Sequence, residues 1–264
     1  MTLVIDANNI ASASFFKVWS ETTSLETAIE LFFIRFHRLL KTYQGYDVYL
    51  IWDGRNGLKW RREIFPRYKC GKTKSEVVKT QLSNYMVALR LILNSYPVIQ
   101  ISKDDSEADD IIYALCKILN DKIILISGDS DMIQIAQNLN ITFINIYNKG
   151  YQYANYNHVL LKAIAGDKND NINGITHYNM KKAIEFIETG IISDEQQKII
   201  DRNKLLIDFE KNPFLQDNIL FIKEKVNVDI SINTSIIHKH FISLKLSKLV
   251  SQWKQIENLL HDFI

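Results

Sequence analysis

Lys122-Ile123-Ile124-Leu125-Ile126-Ser127-Gly128-Asp129-Ser130-Asp131-Met132 decides the architecture: an unbroken apolar run ends in a polar turn that carries two acids. A strand with one face in water alternates apolar and polar side chains, whereas a run apolar at every position belongs to a strand covered on both faces. Four further runs share this character, at residues 3–6, 48–52, 98–102 and 141–146. Helical periodicity fills the gaps, at 25–43, 77–94, 107–119 and 132–138. Strand–helix alternation predicts an α/β fold whose largely parallel central sheet is flanked by helices. From residue 157 onward the pattern is mostly helical, with a weak strand candidate at 218–222. The expected organisation is an α/β core over 1–156 and a mostly helical region over 157–264, joined in one unit.

Composition sets wide bounds. The 264 residues are 47% hydrophobic and 23% charged, as in an ordinary folded globule able to bury its own core. The two cysteines, Cys70 and Cys116, have neither metal-ligand spacing nor a disulfide logic, which fits reduced thiols in a cytoplasm, that of a host cell if the protein is viral. An acid at position 6 interrupts any signal-like apolar run, and no stretch approaches a bilayer span, so no membrane partner is expected. Net charge is only +2, but its distribution is uneven. Between positions 55 and 74 stand Arg55, Lys59, Arg61, Arg62, Arg67, Lys69, Lys72 and Lys74 against one acid, Glu63, a local charge of +7. A basic strip apart from an acidic cluster suits a polyanion held against metal ions.

The acids fall where a parallel sheet delivers its ligands, outside the carboxyl ends of the strands. Asp6 closes the first apolar run, Asp53 follows the second, and Asp129 and Asp131 follow the fourth. Ser106-Glu107-Ala108-Asp109-Asp110 opens a helix, with Glu107 and Asp110 on one face and Asp109 turned away. Gly166-Asp167-Lys168-Asn169-Asp170-Asn171 adds two more aspartates three apart. Each acid alone has an ordinary explanation as a turn residue or a helix cap. All nine together do not, because so many anions in one pocket repel each other without cations. Oxygen ligands without accompanying histidine or cysteine select Mg²⁺ or Mn²⁺, and two such ions suit phosphodiester hydrolysis.

In order along the chain, Leu3-Val4-Ile5-Asp6-Ala7-Asn8, Ile51-Trp52-Asp53-Gly54, Ser106 to Asp110, Ser127 to Asp131 and Gly166 to Ile172 resemble the carboxylate motifs of the 5′-nuclease family. That family comprises flap endonucleases, phage 5′→3′ exonucleases and the 5′-nuclease domain of bacterial DNA polymerase I. The resemblance runs from residue 3 to about 210, where Arg202-Asn203-Lys204-Leu205-Leu206-Ile207-Asp208 also looks like a family segment. It implies a PIN-like sheet, a helical arch over about 55–96 and a helix–turn–helix-like duplex-binding region further on. It further implies a first metal site of Asp6, Asp53, Glu107, Asp109 and Asp110, with Asp129 and Asp131 between the sites. Asp167 and Asp170 would complete a second site. Residues 61–69 look like the arch entry: Tyr68 would stack on a base, and Lys69 and Lys72 would meet the scissile phosphate, helped by Arg61, Arg62, Arg67 and Lys74.

The chain also departs from the family. Asn173 stands where relatives usually carry proline, and His177-Tyr178-Asn179 replaces a Gly-hydrophobic-Gly turn whose backbone approaches a phosphate closely. Asn179 tolerates a left-handed conformation, so a turn remains possible, with Lys181 and Lys182 holding positive charge for the duplex. These differences predict an altered duplex grip beside an intact metal site. The expected activity is cleavage by a monomer of DNA near 5′ flaps, nicks, gaps or RNA primers, using two Mg²⁺ (or Mn²⁺), alongside replication proteins. A non-cleaving junction-binding accessory and a PIN-like ribonuclease are the alternatives.

Overall fold

The computed structural model describes residues 1–20, 24–70, 75–147, 155–190, 193–226 and 230–263. Its frame is a five-stranded, all-parallel sheet of β1 (Thr2–Asp6), β2 (Asp47–Ile51), β3 (Ile99–Ile101), β4 (Ile123–Ser127) and β5 (Thr142–Asn145). The spatial order is β3-β2-β1-β4-β5. The chain therefore winds outward from β1 to one edge, then returns to β1's other side at β4. That reversal opens a crevice between the carboxyl ends of β1 and β4, where sheets of this kind bind ligands.

Side chains of successive strand residues point to opposite faces, and here both faces are buried. Leu3, Ile5, Val48, Leu50, Trp52, Ile124 and Ile126 pack on one side against α1 (Ala7–Val18), α2 (Leu25–Thr42) and α4 (Glu76–Leu93). Val4, Tyr49, Ile51, Ile123 and Leu125 pack on the other against α5 (Ala108–Ile118) and α6 (Met132–Leu139). The short α3 (Lys59–Ile64) precedes α4. Helix α4, expected within the arch, is anchored to the first core by Val78, Tyr85, Leu89, Ile92 and Leu93 and lies along α1 and α2.

Beyond the sheet, α7 (His158–Ala165), a two-stranded hairpin of β6 (Gly166–Asp167) and β7 (Ile172–Asn173), α8 (Met180–Thr189) and α9 (Asp194–Ile207) form a unit with its own small core. Buried Asn203 of α9 ties it together, donating from Nδ2 to the carbonyls of Ala163 (2.8 Å) and Asn173 (2.9 Å). Residues 218–222, read as a weak strand, lie instead in α10 (Leu215–Lys225), because Leu215, Ile219 and Ile222 recur at helical spacing and bury against the second face. The closing helices α11 (Thr234–Ser243), α12 (Ser247–Ser251) and α13 (Trp253–His261) bury Ile237, Phe241, Leu249, Ile256 and Leu260 in the first core. Residues on both sides of position 157 thus share that core. Among the described residues no helix is long and apolar enough to cross a membrane.

Candidate metal centre

The crevice gathers its carboxylates through backbone amides and small polar side chains. Asp6 caps α1 by accepting from the Asn9 N–H (3.0 Å), and takes a second hydrogen bond from Ser127 Oγ on β4 (2.7 Å). Asn9 returns the link, accepting from the Gly128 N–H at 2.8 Å. Asp53 accepts from the Ala108 N–H at the start of α5 (2.8 Å) and from Asn8 Nδ2. Gly54 makes that approach possible: a Cβ there would lie 1.7 Å from the Lys103 carbonyl oxygen. Asp129 accepts from the Asp131 N–H (2.9 Å), and Asp167 accepts from the amides of Asn169 (2.8 Å) and Asp170 (3.3 Å). Carboxylate oxygens of Asp131, Asp167 and Asp170 lie within 4.8 Å of one another.

The crowding shows in the protonation equilibria. Burial pushes Asp6 up to about 7, reinforced by repulsion from Asp53 and Asp129. Asp109 is raised well above the ordinary carboxylate range by burial and by Asp129 and Asp6. Burial also carries Asp170 up to about 6. Asp131 runs the other way: burial alone would raise it, but the Lys162 ammonium beside it holds it well below the usual range. Carboxylates that resist ionising together are the donor set a hard divalent cation relieves, so these residues fit such an ion.

Not every expected ligand faces the crevice. Asp110 receives both Arg61 terminal nitrogens, at 2.8 and 2.6 Å, and its side chain is fully buried. Glu107 takes Arg61 Nη1 (2.6 Å) and the Tyr68 hydroxyl (3.1 Å) on Oε2, leaving Oε1 to Lys69 Nζ at 2.5 Å. Arg61, expected to touch nucleic acid, is instead 2% exposed and also donates to the Leu206 carbonyl at 3.0 Å. A guanidinium with two carboxylates and a carbonyl satisfied at this depth has no face left for a phosphate. Tyr68 is likewise 3% exposed, and burial pushes its phenol upward, so it orients Glu107 where base stacking was expected. Arg62, Arg67, Lys181 and Lys182 are exposed, as a phosphate contact requires. Lys72 and Lys74 lie outside the described residues.

Two side chains absent from the sequence reading enter the centre. Lys162 of α7 points its ammonium between Asp131 and Asp167, 2.5 Å from the Asp167 carboxylate, with its side chain 10% exposed. His158, the first residue of the same helix, lies 3.6 Å from Asp131 through Nε2. Both sit in His158-Val159-Leu160-Leu161-Lys162-Ala163-Ile164-Ala165, an apolar helix in which a lysine five residues before Asp167 was the available signal. A turn does precede α8, with its left-handed residue two positions before Asn179. His177 takes the left-handed conformation (φ 69°), while Asn179 stays extended and caps α8 by accepting from the Lys182 N–H at 3.0 Å.

Comparison with known proteins adds independent weight. A 5′–3′ exonuclease of Mycoplasmopsis pulmonis is 28% identical over 266 residues, spanning 90% of this chain and 88% of that protein. DNA polymerase I of Streptococcus pneumoniae is 25% identical across 97% of this chain, which spans 31% of the polymerase. The fold is similar to that of the phage T5 5′-exonuclease solved with bound zinc, at a TM-score of 0.66 and 17% identity over 92% of this chain and 98% of that one. Residues 1–163 match the family model of the 5′–3′ exonuclease N-terminal resolvase-like domain, well over half the chain, and this protein belongs to that family.

Proposed function

We propose that the chain hydrolyses DNA phosphodiesters near 5′ ends with the help of two Mg²⁺ (or Mn²⁺) ions. The observation that carries this reading is the convergence of acids from four strand ends and the hairpin on one crevice, where they outnumber the cations Arg61, Lys69 and Lys162 paired with them. Asp6, Asp53, Asp109 and Asp129 would hold the first ion, with Glu107 joining through the Oε1 that Lys69 contacts and Asp110 supporting Glu107 through Arg61. Asp131, Asp167 and Asp170 would hold the second. When bound, the ions supply Lewis-acid polarisation of a phosphate and neutralise charge on the leaving oxygen. The chain's own groups hold the geometry: Arg61 and Tyr68 fix Glu107, and Asn8, Asn9 and Ser127 fix Asp53, Gly128 and Asp6.

Lys69 stands at the mouth of the centre. Its Nζ lies between Glu107 (2.5 Å) and Asp170 (3.9 Å) on a third-exposed side chain. That position lets it exchange a carboxylate for an incoming phosphate oxygen, and Lys72 would add positive charge to the same phosphate by the family resemblance. Arg62, Arg67, Lys74, Lys181 and Lys182 would carry the flanking backbone. Residues 1–156 supply the nuclease core and 157–264 most of the duplex contacts. Substrates would be 5′ flaps, nicks, gaps or RNA primers, cut by a monomer in the cytoplasm, in company with replication proteins. His177 where a glycine would let the backbone close on a phosphate supports an altered duplex grip.

Mg²⁺-dependent cutting of a labelled 5′-flap duplex near its junction, lost in the Asp129→Asn, Asp131→Asn double variant, is the expected result. A folded protein that binds the flap in Ca²⁺ yet never cuts it in Mg²⁺ would favour the non-cleaving junction binder. Cutting confined to RNA would favour the ribonuclease.

A further inference from the structure

Helices α1 and α2 and the carboxyl ends of β4 and β5 enclose an open cavity of about 850 Å³, within the range of about 300–1,000 Å³ that small-molecule sites occupy. Its floor is apolar, made by Leu39, Ile126 and Ile144. Its charges are all of one sign. Lys17 lines it from the last turn of α1, and Arg35 and Arg38, three apart on one face of α2, line it from the side. No carboxylate among the described residues lines it. Arg35 is held by Ser14, whose Oγ accepts from its Nη1 at 3.0 Å, and every ion pair among the described residues lies elsewhere. Like charges over an apolar floor, with no counter-ion of their own, focus a field that draws an anion. Two aromatic rings line the same cavity while staying 42% (Phe16) and 51% (Tyr147) exposed. Tyr147 packs on the turn that carries Asp129, since a Cβ on Gly128 would lie 2.4 Å from its ring. Asn9, which accepts from the Gly128 N–H at 2.8 Å, also lines the cavity, so the cavity and the metal centre share a wall.

We infer that this cavity is a second binding site, which takes a single nucleotide ending in a phosphate monoester. The phosphate meets Lys17, Arg35 and Arg38, the two guanidinium forks matching its oxygens in pairs. The sugar lies over the apolar floor, and the base stacks at the exposed rings of Phe16 and Tyr147. A phosphate alone leaves the floor and both rings in water, and a nucleoside alone leaves three like charges uncompensated. The two halves of the ligand are therefore bound together. The choice of a nucleotide over other phosphorylated rings rests on the nuclease reading above, which supplies this chemistry as a released product or as a strand end. The site needs no metal ion, because its ligands are cations where those of the crevice are acids.

The test is equilibrium dialysis of the full chain against labelled deoxyadenosine 5′-monophosphate in EDTA, which keeps ions out of the carboxylate crevice. Binding should be about tenfold or more tighter than that of inorganic phosphate or of deoxyadenosine, and should weaken as salt rises. Lys17→Gln combined with Arg38→Gln removes two exposed charges without opening the core, and should weaken binding by about tenfold or more. Phe16→Ala should weaken the nucleotide and leave inorganic phosphate unchanged. No binding to the unaltered protein, a result independent of any variant's folding, would overturn the inference, as would binding that the double variant leaves unchanged. Competing oligonucleotides identify the source. Displacement by a 5′-phosphorylated strand and not by its 5′-hydroxyl twin extends the site to strand ends, and displacement by neither assigns it to the free nucleotide; both results support the site. Equal displacement by the two strands would overturn the role of the terminal phosphate. Flap cutting in Mg²⁺ is read separately: cutting without nucleotide binding sinks this site alone, and nucleotide binding without cutting sinks the nuclease reading alone.

Discussion

Arg61 sits within a basic strip, and nothing in its neighbours' chemistry distinguishes it from Arg62 or Arg67. Its burial comes from partners 46, 49 and 145 residues away, a relation no local pattern encodes. Removing one partner of a buried ion pair strands the others, at a cost of about 3–5 kcal/mol. Arg61→Met is therefore expected to lose several kcal/mol of stability in urea unfolding, and a loss under about 1 kcal/mol would show that Glu107 and Asp110 do not depend on it. The acids were legible because their number and their places at strand ends are improbable as ornament. Lys162 and His158 were not, because an apolar helix hides a lone lysine and a lone histidine. His37 makes a separate prediction. It is buried against Phe33 and Tyr96, and burial lowers its pKa to about 3, so the folded protein keeps it neutral while the unfolded chain protonates near 6.5. Stability from this residue is full above pH 6.5 and falls as pH drops from there toward 3. Unfolding free energy should drop by about 2 kcal/mol between pH 7 and pH 5 from this group alone. His37→Leu should remove that share of the slope, and an unchanged slope would assign the pH dependence elsewhere.

All five strands were readable, since each short apolar run is bounded by polar turns and alternates with a helical segment. Helix α1 was not: Ala7-Asn8-Asn9-Ile10-Ala11-Ser12-Ala13-Ser14 interleaves its alanines with Asn and Ser, which favour caps and turns, and the helix is held by the Asp6 cap and by burial of Ile10 and Phe15. The error at α10 is of the opposite kind, where a five-residue window was too short to show a helical period that the flanking Leu215 completes. In the hairpin before α8, the residue paying for the left-handed turn is His177, with Asn179 free to cap. A side chain in that conformation costs roughly 1 kcal/mol relative to glycine. His177→Gly is thus expected to raise the melting temperature slightly and to tighten duplex binding with a steeper salt dependence. Equal affinities and equal salt slopes for the two proteins would detach this turn from duplex recognition.

Across the whole molecule, the sheet edge gathers more carboxylates than Arg61, Lys69 and Lys162 offset, so on the two-ion reading metal binding would stabilise the fold. Mg²⁺ added to chelator-treated protein should raise the melting temperature, with a gain in unfolding free energy of about 2.7 kcal/mol per site at a hundredfold excess over the dissociation constant. The Asp129→Asn, Asp131→Asn variant should respond far less, and an equal response would place the ions elsewhere. The sheet's winding order has a further consequence for how the protein is born. Asp6 leaves the ribosome 121 residues before Ser127, which holds it in place. At roughly 5–20 residues per second, that gap lasts about 6–24 s. During it the β4-facing edge of β1 has no partner, and the hairpin bearing Asp167 and Asp170 has yet to be made. On the two-ion reading, a nuclease assembled this way would carry its own delay: the nascent chain would spare the nucleic acid around it until synthesis has nearly reached the last third of the sequence.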